Sequence, residues 1–523
     1  MKKGFLLTGL ILLIILLVGL VRVNRHLSDR FPGYELVLDR QTPTAGALRA
    51  GFAQRSITPA VPDSWEDVDD NAVYDPSAGD RFLDQNENGE FDPVWIAGFQ
   101  SRRPAQGVHD SLWARVMVID DGHTRLAIAA IDAIGFGHDD VLRVRAALPD
   151  SAGIDYATIV STHTHQAPDL IGLWGPGTLT SGVDPDYQAW VIEQTAAAIA
   201  AASAALRPAR LRLAQDPDGA TPLVGDTRDP QVLDPGLRLI QAIDPTNDST
   251  LGTLIAWANH PETVWNKNLW LSSDFPHYLR EGVEKGLYRG DSLVRPGLGG
   301  IALYVNGAIG GLMTTHPDMP VADPWRDTSY LAPSFAKAEA QGVTLARLSL
   351  DALAASETVL DSGAIRLQAR TIDLPLANPL FRAGAALGVL NRGTPRWMHL
   401  RSEVAYWTLG PMSVLQVPGE IYPEIVNGGI EAPEGQDFAV DPEEIPPLRE
   451  LMAGDYRLVL GLANDLIGYI IPRSEWDAEP PYLYGAESAH YGEINSLGPE
   501  TAPRLYQALR ALLPVPDSLA AQR

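Results

Sequence analysis

Four apolar segments of strand-like or buried character each run into a side chain that can bind a metal or carry a proton, and this pattern favours a fold that brings segment ends together. The first is the β-branched run 157–160, followed by Ser161-Thr162-His163-Thr164-His165. Successive side chains of a strand alternate faces, so His163 and His165 point the same way where the strand becomes a loop. The chain has 11 histidines, so two within three positions is a dense placement. Two adjacent imidazoles either share a metal or divide the work, one binding metal and the other handling a proton. The plain alternative is a polar strand end with both rings bonded to backbone. The second segment, 254–259, ends in His260-Pro261, where proline stops the strand. The third, 414–417, leads into Pro418-Gly419-Glu420, and the fourth, 462–467, into Gly468-Tyr469. Taken singly, a histidine or glutamate after a strand is as well explained by a structural bond or a solvated turn.

Other apolar runs, at 114–119, 126–131, 237–243, 301–305 and 365–374, read as strands. They alternate with helical patterns. Residues 187–206 are alanine-rich, with Trp190, Val191, Ile192 and Ile199 at helical spacing, and 276–287, 334–355 and 505–513 read as further helices. The expectation is an α/β chain with mixed sheets and flanking helices, without a visible internal repeat. Asp132, at the end of a strand, can serve either as a partner to a metal-bound histidine or as a helix cap. His109 reads as a structural hydrogen-bonding residue.

With 40 Lys and Arg against 65 Asp and Glu, the net charge is −25. This argues against nucleic acid as a partner and against docking on anionic lipid through a basic surface. The absence of cysteine excludes disulfides, thiolate ligands, a cysteine nucleophile and lipidation on cysteine. Met1-Lys2-Lys3 and the apolar run 4–21 have the length of a bilayer span. Residues 1–30 therefore read as an uncleaved signal-anchor, with the membrane as partner and the body exported to a periplasmic or extracellular location; a cleaved signal peptide is the alternative.

Residues 61–92 are acidic and turn-rich. Within them Asp84, Asn86, Asn88, Glu90 and Asp92 place oxygen side chains at alternate positions, with Gly89 at the turn, as in a calcium loop. Trp95 stands where an EF-hand has its bidentate glutamate. The expectation is a short structural Ca2+ loop, against a solvated turn cluster as the alternative.

Several motifs, in order, resemble the neutral/alkaline non-lysosomal ceramidase family: Gly51 to Pro59, Gly107-Val108-His109 through Ala114-Arg115, Thr162-His163-Thr164-His165, Ser272-Ser273-Asp274, Pro418-Gly419-Glu420, and Tyr491-Gly492-Glu493 through Gly498-Pro499. The resemblance implies a ceramidase-like catalytic domain over residues 48–523, without the family's C-terminal immunoglobulin-like domain. It implies a Zn2+ site of His163, His260, Glu420 and Tyr469, with His165 facing the scissile carbonyl and Arg228 toward the substrate. It implies hydrolysis of an amide in an N-acylated, lipid-like small molecule by a metal-activated water. The family's serine is replaced by Met313 in Asn306-Gly307-Ala308-Ile309-Gly310-Gly311-Leu312-Met313. A non-catalytic protein on the same scaffold, or one processing a non-lipid amide or ester, is the alternative.

Overall fold

The computed structural model describes the backbone of residues 2–514 and, from residue 16 onward, every side chain of that range. Its framework is three five-stranded sheets. The first sheet runs Arg207–Pro208, Arg49–Ser56, Trp113–Asp120, Arg125–Ile131, Tyr156–Ser161. The second runs Val359–Leu360, Arg210–Asp216, Leu237–Ile243, Thr250–Trp257, Ile301–Asn306. The third runs Val37–Gln41, Ile365–Pro375, His399–Leu409, Met412–Gln416, Tyr456–Leu460. In each, the first three pairings are antiparallel and the last is parallel. The chain thus contains a threefold topological repeat that the sequence does not display.

Strand periodicity explains how the sheets assemble. In the first sheet Met117 and Ile119 face a core shared by all three sheets, together with Leu254 and Leu303 of the second and Leu367 and Trp407 of the third. The alternate residues Val116 and Val118 face outward against helix Pro185–Ala204. The second sheet covers its outer face with helices Phe275–Glu284 and Phe335–Ala355. The third does so partly with helix Thr501–Arg510. Helices and sheets agree with expectation to within a few residues at most ends. The fourth apolar segment, 462–468, is not a strand. It is a loop in which Leu462, Asn464 and Gly468 take positive φ, apolar because it is buried rather than because it is a strand.

The parallel pair of every sheet points its C-terminal ends at one region, where side-chain amides lock the loops together. Asn306 donates from Nδ2 to the carbonyls of Thr162 and Asn259, both at 3.0 Å, and its Oδ1 accepts from the Asn259 and Gly307 amides at 3.1 and 3.2 Å. Asn464 accepts from the Ile159 amide at 3.0 Å and donates to the Tyr156 hydroxyl at 2.9 Å. Both asparagines are fully buried.

The N-terminal helix Lys2–His26 contains the apolar run, and some of its side chains lie outside the described residues. Among the described residues, no helix is long and apolar enough to cross a membrane; the anchor expected over residues 1–30 gains no support there. The helix end is docked: Val23 and Leu27 pack into the outer core of the third sheet.

Asn306→Ala is expected to cost about 2–4 kcal/mol, because it leaves several buried backbone groups unpaired. Urea unfolding measures this; a loss under about 0.5 kcal/mol would contradict the locking role.

Candidate metal centre and cavity

Each sheet delivers its part of the site just past a strand of its parallel pair. His163 and His165 follow Tyr156–Ser161, His260 follows Thr250–Trp257, Glu420 follows Met412–Gln416, and Tyr469 follows Tyr456–Leu460. Glu420–Ile421 and Tyr469–Ile470 then pair in parallel with Glu420 opposite Tyr469. Gly468 makes this approach possible: its φ is +80°, and a Cβ there would lie 2.0 Å from the Asn495 carbonyl oxygen.

The structure brings His163, His165, His260, Glu420 and Tyr469 together, all buried. His163 Nδ1 faces the Ile134 carbonyl, and His260 Nδ1 faces the Met313 carbonyl at 2.8 Å. With Nδ1 of each ring turned to a backbone carbonyl, both Nε2 atoms face inward, the orientation a metal ligand needs. His260 Nε2 lies 3.2 Å from Glu420 Oε2 and 3.4 Å from the Tyr469 hydroxyl, and His163 Nε2 lies 3.6 Å from the same Glu420 oxygen. Two imidazoles, a carboxylate and a phenol converge here, a donor set that suits zinc. One nitrogen from each of His163, His165 and His260 also fits within a 4.8 Å group, so a three-imidazole set is a second geometry the site offers.

Burial disfavours the charged form of His163 and lowers its pKa to about 4. Burial also takes His165 well below the usual range, reinforced by the neighbouring imidazoles. For His260 burial acts in the same direction, but the hydrogen bond to Glu420 and the Glu262 and Glu420 carboxylates outweigh it and raise the pKa. Burial works to raise Glu420, yet His163 and His260 hold it below the ordinary value. Burial and the Glu420 charge push the Tyr469 phenol well above its ordinary value.

His165 is held differently. Its carbonyl accepts from Arg103, its ring lies edge-on to Phe99 at 5.0 Å, and Gly98 leaves room for it, since a Cβ there would come within 2.6 Å of the His165 Cβ. Its Nδ1 lies 3.1 Å from Glu262 Oε2, although neither ring nitrogen makes a well-aligned hydrogen bond. Glu262 is the site residue that sequence reading missed; its only signal is its place two residues after His260.

An apolar cavity, open to solvent, has His163, His165, Glu420 and Tyr469 in its lining. Leu173, Trp174, Leu376 and Phe381 are among the residues of its walls. Arg228 does not line this cavity. It is buried and bonded to Glu493, with Nη2 at 2.8 Å from Oε1. Met313 is fully buried, and its carbonyl orients His260. Asp132 pairs with Arg280 at 2.9 Å and accepts from the Trp113 amide, so it orients none of the three imidazoles of the site. His109 stacks on Phe335 and bonds Asp110.

In the acidic insertion, Asn86 and Asn88 donate to Asp92 Oδ2 at 2.8 and 2.6 Å, and Asp84 accepts from the Asn88 and Gly89 amides. Asp84, Asn86, Asn88 and Asp92 thus meet, whereas Glu90 joins through its backbone amide. Seventeen residues earlier a second loop repeats the turn: Asp67 accepts from the Asn71 and Ala72 amides as Asp84 does from Asn88 and Gly89. Asp67, Asp69 and Asp80 there place carboxylate oxygens within 4.8 Å of one another.

Three mixed sheets around one core, with a buried imidazole–carboxylate–phenol centre lining an apolar cavity, define the class of protein. Neither a protein-family model nor a curated protein matches the sequence. Among solved structures, neutral ceramidase from Pseudomonas aeruginosa superposes with a TM-score of 0.62 at 16% identity, over 90% of this chain and 75% of that one. A ceramidase complexed with C2 does so with a TM-score of 0.61 at 16% identity, over 90% of this chain and 76% of that one. The chain has the α/β fold of the neutral ceramidases.

Because burial depresses His163, the unfolded chain takes up protons first as pH falls. The metal-free protein should therefore lose stability from about pH 6.5 down to about 4, on the order of 3 kcal/mol from this residue. Urea midpoints across that range should show a slope that His163→Asn reduces; an unchanged slope would contradict the assignment.

Proposed function

We propose that this chain is a zinc-dependent amidohydrolase of neutral-ceramidase type, cleaving the amide of an N-acylated lipid-like molecule. The observation that supports this most directly is the convergence of His163, His260, Glu420 and Tyr469, from three sheets, at the edge of an apolar cavity. Zinc, when bound, supplies Lewis acidity toward the carbonyl and lowers the pKa of a water. His163 and His260 would hold the ion through Nε2, with Glu420 and Tyr469 completing the set. His165 faces the same space and moves a proton between the attacking water and the departing amine, with the Glu262 carboxylate orienting its ring. The apolar walls accept an alkyl chain and keep bulk water from the reacting carbonyl.

No serine is needed in this scheme, and Met313 contributes its carbonyl rather than a nucleophile. The role implied for Arg228, orienting a polar head group, requires its guanidinium to exchange Glu493 for substrate. Calcium in the 84–92 loop is part of the same proposal, as a structural ion. The membrane-tethered, exported location rests on the apolar run at 4–21 alone.

Turnover of a fluorescent N-acylsphingosine by the zinc-loaded protein tests the reading. His165→Ala should keep its zinc and lose about 10²–10⁴-fold in kcat. Zinc-loaded wild type without turnover on acyl-chain amides would overturn the substrate class. Calcium removal should lower the melting temperature of the wild type by more than that of an Asp84→Ala, Asp92→Ala variant.

A further inference from the structure

Behind the Glu420–Tyr469 strand pair lies a second concentration of buried charge that the hydrolytic reading does not use. Glu424 sits in the helix Pro423–Asn427, one turn after Glu420. Glu475 ends the turn Arg473–Glu475, just beyond Tyr469. Asp226, Arg228 and Glu493 complete the group. Glu424 and Glu475 are fully buried at 0% exposure, and Asp226, Arg228 and Glu493 are each below 9%.

The hydrogen bonds of this group leave specific oxygens without partners. Arg228 is committed to the Glu493 carboxylate and to the Glu475 carbonyl at 2.9 Å. Asp226 accepts from the amides of Arg228 and Val232, both at 2.9 Å. Glu475 Oε1 accepts from the Glu431 amide at 2.7 Å, but its Oε2 has no partner. Neither carboxylate oxygen of Glu424 has one, nor does the buried hydroxyl of Tyr422, whose ring lies 5.6 Å from the Arg228 guanidinium carbon.

The charges do not balance: Asp226, Glu424, Glu475 and Glu493 face a single guanidinium. Each uncompensated buried carboxylate costs several kcal/mol, so the deficit must be met by protons or by a cation. The two largest influences on Glu424 are burial and then the Glu475 charge, and both push its pKa well up. The unpartnered atoms are hard oxygen donors, the set that selects a hard cation.

We propose that Glu424 and Glu475 are the carboxylate ligands of a structural calcium ion, bound within the negative field that Asp226 completes. The ion joins the helix that follows Glu420 to the turn that follows Tyr469. It therefore fixes the backbone behind two of the residues assigned to zinc. This site is separate from the exposed 84–92 loop and does not depend on the hydrolytic reading.

The test is the calcium content of the full-length, zinc-loaded protein after desalting into calcium-free buffer. It is made in an Asp84→Ala, Asp92→Ala, Asp67→Ala background, so that the exposed loops contribute nothing. One calcium per chain is expected, falling about tenfold or more in Glu424→Gln, Glu475→Gln on the same background. A folded background protein without calcium, or a double variant that keeps it, overturns the proposal. If the double variant does not fold, anomalous diffraction from wild-type crystals grown in calcium decides: a calcium peak between Glu424 and Glu475 supports the site, and no peak overturns it. Shared protons instead of an ion would appear as calcium-free protein whose stability falls as pH rises.

Discussion

Several imidazoles and carboxylates are buried where three sheets end, and the surrounding packing is organised around them. Groups of this kind leave water only when other groups fix and satisfy them. The parallel strand pairs supply the fixing. Their C-terminal ends meet, and Asn306 and Asn464 tie the emerging loops to one another through backbone groups. Backbone carbonyls of Ile134 and Met313 then set the rings of His163 and His260. No single sheet holds a complete site. The first gives His163 and His165, the second His260, and the third Glu420 and Tyr469.

The threefold repeat explains this distribution. In every sheet the segments after the two strands of the parallel pair are directed at the centre, and each sheet has placed different chemistry on them. The repeat is hidden in the sequence because its members share strand order rather than residues, and because two of its edge strands, Arg207–Pro208 and Val359–Leu360, are two residues long. A pattern that short has no periodicity to read.

The centre itself was legible because its ligands sit at the ends of apolar runs. Leu237–Ile243 emerges as expected because it is a short, mostly apolar run that is buried along nearly its whole length. Strand His399–Leu409 escaped because Arg401, Ser402 and Glu403 are buried within it, and Glu403 is neutralised by Arg145 in space rather than by a neighbour in sequence. Helix His138–Ala146 escaped for a related reason: its buried Asp139 and Asp140 read as surface residues. Glu262 near His165 and the buried carboxylates behind Glu420 are likewise products of the packing. The orienting role of Met313 runs through its carbonyl, which no side-chain pattern reports.

A polar centre lining an apolar chamber gives the site two environments at once. The walls lower the local dielectric, which strengthens electrostatic interactions at a reacting carbonyl and favours neutral His163 and His165. X-ray absorption at the zinc edge of the purified protein reads the ligand shell of this centre. A four-coordinate shell of light atoms containing two imidazoles, with no sulfur, is expected. A three-imidazole shell would put His165 on the metal and contradict its assignment as a proton carrier, and a folded protein without zinc would contradict the centre altogether.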